Sequence, residues 1–502
     1  MTTSPTMQFR KAVAPLLIGM LAAGCGDLDV TNPSQRTTDT FYRNRADALA
    51  AVNASYHGLQ ELGAFGRWQA FADDLRADVA TSRSPWTELA NFTKTLLASY
   101  DFEVNNHLWV HNYRTIFAAN QVIANVPGVA MPEADAKRFV AEAKFIRALS
   151  YYNLVTMFGG PQAIPLLLEP STVGQRPEGA APEAVYAQIE TDLTQAAVDL
   201  PASYTGADVG RATSGAANAL LGKARLQQRK WAAAAAAFQL AVASPANYRL
   251  LAVYGDNFRE DRDNSVESIF EVQFTDQNQL SQGSAGYSGP KLYGPCGPAF
   301  CDANPTRWYF DQFVAAGDTT RLNATIFYNR PGVSDVFGRT FAARYADRIN
   351  DLFVKKYTQY YRAGDEFFDN PINFKVLRLG GVLLFQAEAL NEAGQTGAAL
   401  APLNLVRARA NLPPVAAGLG QAAMRAAIER EQLLELGFEA DRFRYLQRHN
   451  QLNPTAAQPL DGLTLVQHDP DFTVFQVGRS ELLPVPSSEA DLNPGVRQNP
   501  GY

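Results

Sequence analysis

Apolar residues recur at helical spacing in several long segments of the chain. Within Glu142–Phe158 they follow one another at intervals of four, three and three residues, at Phe145, Leu149, Tyr152 and Val155. This spacing places them on one face of a helix. A second such helix is predicted over Pro182–Leu200, where proline suits the first helical position.

Two helical hairpins are predicted further along. Ser214–Gln228 and Trp231–Ala243 form one pair, and Phe374–Glu392 and Ala398–Ala410 form the other. Both pairs are rich in small residues, similar to tetratricopeptide helix pairs, but a long stretch of chain separates them. A continuous solenoid is therefore not expected. Glycines at positions 380 and 381 either permit close packing or mark a later helix start.

The stretch 264–373 has a different pattern. Glu267–Phe274 alternates in the manner of a strand, and the following residues 277–305 are rich in Gly, Ser, Gln and Tyr. A loop of this length usually has a function. Cys296 and Cys301 lie within it and could close a small disulfide, with two free thiols as the alternative.

The N-terminus resembles a bacterial lipoprotein signal. Arg10 and Lys11 precede an uncharged run, Ala12–Ala23, which is too short to span a bilayer core of roughly 30 Å. Small residues then lead to Cys25, whose thiol takes diacylglycerol in such signals. We expect residues 1–24 to be removed, Cys25 to be lipidated and residues 25–40 to form a tether. The alternative is an ordinary cleaved signal.

Composition excludes several classes of protein. The 502 residues include 44 Lys and Arg against 50 Asp and Glu, a formal net charge of −6, so a nucleic-acid partner is not expected. Three cysteines and five histidines leave little material for metal chemistry. A hydrophobic fraction of 46% is enough for a large core.

Two groups of side chains suggest chemistry, each with a structural alternative. Glu431, Glu435 and Glu439 are predicted on one helix over Met424–Asp441 and could be the carboxylates of a glycoside hydrolase. They share one side of the helix, however, so internal ion pairs are favoured. The candidate partners of Glu431 are Arg442, Arg444 and Arg448. A second group, Glu103, His107 and His111, has zinc-ligand spacing but lacks a companion segment, so no metal is expected.

A series of short motifs occurs in one order along the chain. The motifs are Trp109, Tyr113, Ile116 and Asn120; Ala143–Ala148 with Tyr152 and Phe158–Gly160; Pro165; Asp192-Leu193; Leu200-Pro201; Gly210–Thr213; Leu383-Leu384 with Ala387–Ala389; Glu429–Glu431; Glu435–Glu439; Asp441–Phe443; Leu483–Pro486; and Gln498–Tyr502. In this order, behind a lipoprotein signal, they resemble the SusD/RagB family of outer-membrane lipoproteins. Position 440 departs from the family pattern, with alanine in place of the usual glycine.

The resemblance implies a mainly α-helical fold. Tetratricopeptide-like pairs would form a scaffold that carries an irregular loop-rich subdomain and minor β hairpins. We expect an N-terminal helical region over residues 41–263 and a second region over 264–502, with the loop-rich insertion at 264–373.

The resemblance also implies a function without a catalytic centre or cofactor. Such proteins face the cell exterior on the outer membrane, capture a glycan or an oligopeptide, and deliver it to a SusC-like TonB-dependent transporter. The alternatives are a surface-tethered glycoside hydrolase and a protein-interaction scaffold without a small ligand.

Sugar binding requires flat aromatic faces beside polar groups. Trp86 lies in a polar loop and Trp68 lies near it in a glycine-flanked stretch, while other aromatic residues flank the insertion. The predicted ligand-contacting residues are Trp68, Trp86, Tyr287, Tyr293 and Trp308. The alternative for each is ordinary core packing.

Overall fold

The computed structural model describes residues 41–92, 94, 99–172, 174–276 and 286–502. The predicted signal, Cys25 and the tether at 25–40 lie outside the described residues, as does the part of the predicted loop at 277–285. Within the described residues, no helix is both long enough and apolar enough to cross a membrane.

The predicted mainly helical fold is confirmed. The helices are α1 (Arg45–Gly58), α2 (Trp68–Arg76), α3 (Thr87–Phe92), α4 (Glu103–Asn125), α5 (Glu133–Phe158), α6 (Pro182–Asp199), α7 (Ser214–Gln227), α8 (Trp231–Val242), α9 (Gly289–Tyr293), α10 (Arg307–Ala316), α11 (Thr319–Thr325), α12 (Phe341–Arg344), α13 (Leu379–Glu392), α14 (Thr396–Arg409), α15 (Gln421–Leu436), α16 (Arg442–Arg448), α17 (Leu465–His468) and α18 (Ser487–Ala490). A π-helical turn, Leu62–Gly66, precedes α2.

The strands form antiparallel pairs. The strands are β1 (Ala80–Thr81), β2 (Ile164–Pro165), β3 (Gly179–Ala180), β4 (Ser268–Val272), β5 (Asn304–Pro305), β6 (Ile326–Phe327), β7 (Phe353–Val354) and β8 (Phe374–Arg378). β1 pairs with β5, β2 with β3, β4 with β8 and β6 with β7. Two of these pairs, β1–β5 and β4–β8, join segments that are far apart in the sequence.

The long helices pack in one row. α4 lies against α1 and α5, and α6, α7 and α8 follow in the order of the chain. α8 then packs against α13, which joins the two helical hairpins side by side despite their separation in sequence. Within the first hairpin, Gly222 of α7 permits the close approach of α8, since a Cβ there would lie 2.4 Å from the Phe238 ring. The small-residue pattern therefore serves close helix packing.

Two predicted helix boundaries are wrong. α5 begins at Glu133, nine residues before the predicted start, because Glu133 and Asp135 in its first turn suit the positive end of the helix dipole. Residues 374–378 form strand β8 rather than the start of a helix. α13 begins afterwards, and a Cβ at Gly380 would lie 2.7 Å from Oε1 of Glu435. Both roles considered for the glycine pair, close approach and a later start, are seen.

Candidate functional site

The β1–β5 pair brings the Trp86 loop beside the insertion. Ala80 faces Pro305 and Thr81 faces Asn304 across this pair. Trp86, just beyond β1, leaves 38% of its surface exposed. Asp302, just before β5, accepts a hydrogen bond from Ser84; burial raises the pKa of the Asp302 carboxyl and this bond opposes the rise. The two regions singled out for their aromatic residues therefore meet at one surface.

Buried aromatic rings support Trp86 from below. Its ring lies 5.2 Å from that of Phe102 and 6.3 Å from that of Trp68, both in edge-on contact. Phe102 is 4% exposed and Trp68 is fully buried. The ring of Trp86 is thus held in place by packing while part of it stays open to solvent.

Further aromatic and cationic side chains extend from this point. The Arg67 guanidinium lies 5.3 Å from the Trp68 ring and 5.5 Å from the Phe368 ring. Phe368 in turn lies 5.7 Å from Phe300, which is 51% exposed. We call the surface formed by Trp86, Phe368 and Phe300 the aromatic surface; the Arg67 side chain, which is buried, contacts the Phe368 ring from within.

A disulfide loop presents Phe300. Cys296 and Cys301 are bonded, with their Cα atoms 4.8 Å apart, and Phe300 precedes the second cysteine. The Phe300 amide donates to the Lys291 carbonyl at 2.9 Å. The Lys291 ammonium donates to the Pro298 carbonyl at 3.0 Å and lies 5.2 Å from the Phe300 ring. These contacts fix the loop against α9.

The other predicted ligand residues lie in the interior. Trp68 and Tyr287 are fully buried, Tyr293 is 5% exposed and Trp308 is 7% exposed. The hydroxyls of Tyr287 and Tyr293 bond each other at 2.9 Å, and the Trp308 indole donates to Asp461 at 2.9 Å while its ring stacks on His468. A buried ring cannot offer its face to a sugar, so of the five only Trp86 belongs to the aromatic surface.

The structure adds residues that the sequence analysis missed. Phe300 and Phe368 belong to the aromatic surface, Arg67 and Lys291 contact their rings, and none of the four was singled out. One signal was available, because a large apolar side chain between two closely spaced cysteines is presented by a short constrained loop. The contribution of Arg67 depends on tertiary contacts alone and left no pattern in the sequence.

The carboxylates considered for hydrolysis belong to a buried charge cluster. Arg378 binds Glu267, Glu435 and Glu439, and Glu435 also binds Arg409 and Arg321. Burial alone would raise the pKa of the Glu435 carboxyl, but these guanidiniums hold it well below its usual value. We call Glu267, Glu431, Glu435, Glu439, Arg321, Arg378 and Arg409 the buried charge cluster.

The predicted partners of Glu431 were wrong. Glu431 binds Arg321 and Arg407, each at 2.7 Å. The three predicted arginines bind other carboxylates: Arg442 pairs with Asp78, Arg444 with Asp73 and Arg448 with Glu388. α15 ends at Leu436, so Glu439 lies in the turn that follows rather than on the helix. These ion pairs are set by tertiary contacts between distant segments, which helix periodicity does not predict.

Glu103, His107 and His111 do share one side of α4. The two imidazole rings stack with centroids 4.7 Å apart, and Nδ1 of His111 accepts the Gly63 amide at 2.9 Å. Burial lowers the pKa of His111 to about 4, and the neighbouring His107 and Arg114 act in the same direction. Among the described residues, no group of three or more His, Cys, Asp or Glu side chains could hold a metal ion.

The fold is a helical scaffold that carries the aromatic surface. Its described residues contain no cluster of three or more side chains that could hold a metal ion. Two family models match the chain: the SusD family over residues 343–502, and a family described as starch-binding, associating with outer membrane, over residues 28–226. The chain belongs to the SusD family, as the order of its motifs predicted.

Known relatives align with this chain over nearly its full length. SusD-like protein P2 of Formosa agariphila is 26% identical, covering 97% of this chain and 98% of that protein. A solved laminarin-binding SusD-like protein is 29% identical with a TM-score of 0.74, covering 92% of this chain and 100% of that one. A SusD superfamily protein from Bacteroides vulgatus, 23% identical, superimposes with a TM-score of 0.81 and covers 92% and 100% of the two chains.

Proposed function

We propose that this protein captures an oligosaccharide on the aromatic surface. The observation that carries the proposal is the partly open Trp86 ring, held by packing on Phe102 and Trp68. The exposed Phe300 ring lies on the insertion that the β1–β5 pair joins to the Trp86 loop. Pyranose rings bury their C–H faces on such side chains. The half-buried Lys291 ammonium supplies a donor for sugar hydroxyls. The laminarin-binding relative supports a glucan as the first ligand class to test.

We further propose that the protein delivers its ligand to a SusC-like TonB-dependent transporter. A lipid on Cys25 would hold it to the outer membrane, facing the exterior, and the family described as associating with outer membrane supports this location. Leu240 on α8 is 61% exposed and Leu405 on α14 is 56% exposed. Both helices pack on α13, so these apolar positions support a protein contact on the helical hairpins.

The proposed activity is capture without catalysis. A hydrolase of this class needs one carboxylate on each side of the scissile bond, with room for the sugar between them. The carboxylates of Glu431, Glu435 and Glu439 are instead buried and bound to arginine or lysine. This supports binding over the hydrolase alternative.

A thermal-shift experiment tests the proposal. The protein without residues 1–24 and with Cys25 replaced is melted against oligosaccharides, including laminarihexaose, and against oligopeptides. A ligand at a hundredfold excess over Kd stabilises the folded state by about 2.7 kcal/mol. We expect a shift with a glucan that disappears in Trp86→Ala. A shift with peptides alone would overturn the glycan proposal, and silence in both panels would favour a scaffold. Release of shorter sugars by the purified protein would favour the hydrolase.

A further inference from the structure

Apart from the aromatic surface, a cleft opens along the middle of α4. Its volume is about 420 Å³, which lies within the range of small-molecule sites. One wall is α4 itself, through Trp109, Tyr113 and Phe117. Residues 165–172 and 174–177 supply the other wall, and Glu489 of α18 also lines the cleft.

Side chains of α4 and α5 tie the second wall in place. The Tyr113 hydroxyl donates to the Pro165 carbonyl at 3.0 Å, and the Asn120 amide donates to the Leu167 carbonyl at 3.1 Å. Arg147 of α5 holds Asn120 through its carboxamide oxygen at 2.8 Å. The cleft is therefore preformed, and a ligand need not order this wall before binding.

The lining suits a sugar. Phe117 is 42% exposed, while Trp109 is 3% exposed and forms part of the wall. Arg114, Gln175 and Glu489 add donors and acceptors around these rings. An exposed aromatic ring among hydrogen-bonding groups is the same combination that characterises the aromatic surface.

One exposed stripe of α4 connects the cleft to the aromatic surface. The helix begins directly after Phe102, whose ring contacts Trp86 at 5.2 Å. Half-buried or exposed positions then recur at helical spacing, at Glu103, His107, Val110, Arg114 and Phe117. With a rise of 1.5 Å per residue, Phe117 lies about 22 Å from Phe102 along the helix axis.

A hydrogen bond also links the start of α4 to the helix α18 beside the cleft. Asp101, next to Phe102, accepts the Ser488 amide at 3.1 Å. Ser488 precedes Glu489, which lines the cleft. The residue before Phe102 is thus joined directly to α18, the helix that also lines the cleft.

We propose that the cleft is a second subsite for the same glycan, holding the far end of a chain whose near end stacks on Trp86. The inference rests on the proposed function. Its ligand is an oligosaccharide long enough to cover about 22 Å of α4, and a disaccharide is too short to reach both sites. Joining two weak contacts through one chain raises the affinity for long ligands without changing that for short ones.

The test compares ligand lengths on the full chain purified in detergent. Affinities for laminaribiose, laminarihexaose and laminarin are measured by isothermal titration for the wild type, Phe117→Ala and Trp86→Ala. Val198→Ala on α6, where the side chain is 81% exposed, is the matched surface control. We expect Phe117→Ala to weaken binding of the longest ligand roughly tenfold, as loss of a stacking contact does, and to leave laminaribiose binding unchanged.

Each outcome decides between the two proposals. Equal long-ligand affinities for Phe117→Ala and Val198→Ala would overturn the second subsite, while loss of binding in Trp86→Ala would still support the first site. Equal weakening of all lengths in Phe117→Ala would also overturn it, since the residue would then belong to the primary site. A wild type that binds none of the three ligands would overturn a laminarin-type glucan as the ligand of both sites.

Discussion

The buried charge cluster and the aromatic surface place their side chains in opposite environments. Arg378 is 3% exposed and its charge is neutralised by three carboxylates. Trp86 and Phe300, in contrast, are 38% and 51% exposed although both are apolar enough for the core. The carboxylates considered for catalysis lie buried in ion pairs, whereas these two aromatic rings are open to solvent. Residue type alone therefore does not identify the candidate ligand site.

Position in the fold explains the difference. Gly380 lets the start of α13 approach the charge cluster, where any side chain would collide with Arg378 and Glu435. Ion pairs at this depth need every partner, because a charge left alone in the interior is costly. The aromatic surface needs only a scaffold that holds its rings outward, which the β1–β5 pair and the disulfide loop supply.

The largest effect is expected from removing one charge of the cluster. Glu435→Gln leaves Arg321, Arg378 and Arg409 short of a carboxylate, which costs about 3–5 kcal/mol in the free energy of unfolding. Urea denaturation measures this loss. Asp311→Asn, which removes an exposed partner of Arg307, is the control and should change stability little. Equal stability of the two variants would contradict the assigned role of the cluster.

A buried carboxylate without this neutralisation should behave differently with pH. Glu366 is bound by the Gln359 amide at 2.9 Å and the Asn370 carboxamide at 2.8 Å, and burial raises its pKa from 4.5 to about 7. The folded protein therefore keeps a proton that the unfolded chain releases, so the stability contributed by Glu366 is full below pH 4.5 and is lost as pH rises to about 7.

Glu366→Gln removes this titration. The variant should exceed the wild type in unfolding free energy at pH 8 by an amount on the order of 3 kcal/mol, and the difference should vanish near pH 4. Urea denaturation at a series of pH values measures it. A pH-independent difference would show that Glu366 does not titrate in this range.

A smaller effect is expected from opening the disulfide loop. Replacing Cys296 and Cys301 together by serine should cost about 2 kcal/mol, because the closed loop is short. Glycan affinity should fall less than in Phe300→Ala, since the Phe300 amide still bonds the Lys291 carbonyl. Titration of both variants compares them. An affinity loss in the serine variant larger than in Phe300→Ala would contradict the role given to the Phe300 ring.

Much of the helical fold could be predicted because its signals are local. α6 and the α7–α8 hairpin match their predicted bounds within one residue at each end. β8 was missed because its apolar residues pass directly into the apolar start of α13, and only pairing with β4 distinguishes strand from helix. That pairing joins positions about a hundred residues apart and has no local signal.

The candidate site could be predicted only in part. The regions around Trp86 and the insertion were identified from their polar and glycine-rich surroundings, which favour exposure. The same reasoning selected Tyr287, yet its amide bonds the Asn370 carbonyl at 2.8 Å and its ring packs among Phe274, Tyr357 and Phe374. Burial of an aromatic ring depends on such distant partners, which the local sequence does not reveal.

The central claim is tested most directly by comparing two tryptophans in one titration with laminarihexaose. Trp86→Ala should raise Kd at least about tenfold. It should lower the melting temperature less than Trp308→Ala does, because the Trp86 ring is 38% exposed and the Trp308 ring 7%. Trp308→Ala should lower stability by about 3 kcal/mol, since its ring is buried on His468, and leave Kd near that of the wild type. An unchanged Kd in Trp86→Ala, or a loss of binding in folded Trp308→Ala alone, would contradict the assignment of the aromatic surface as the ligand site.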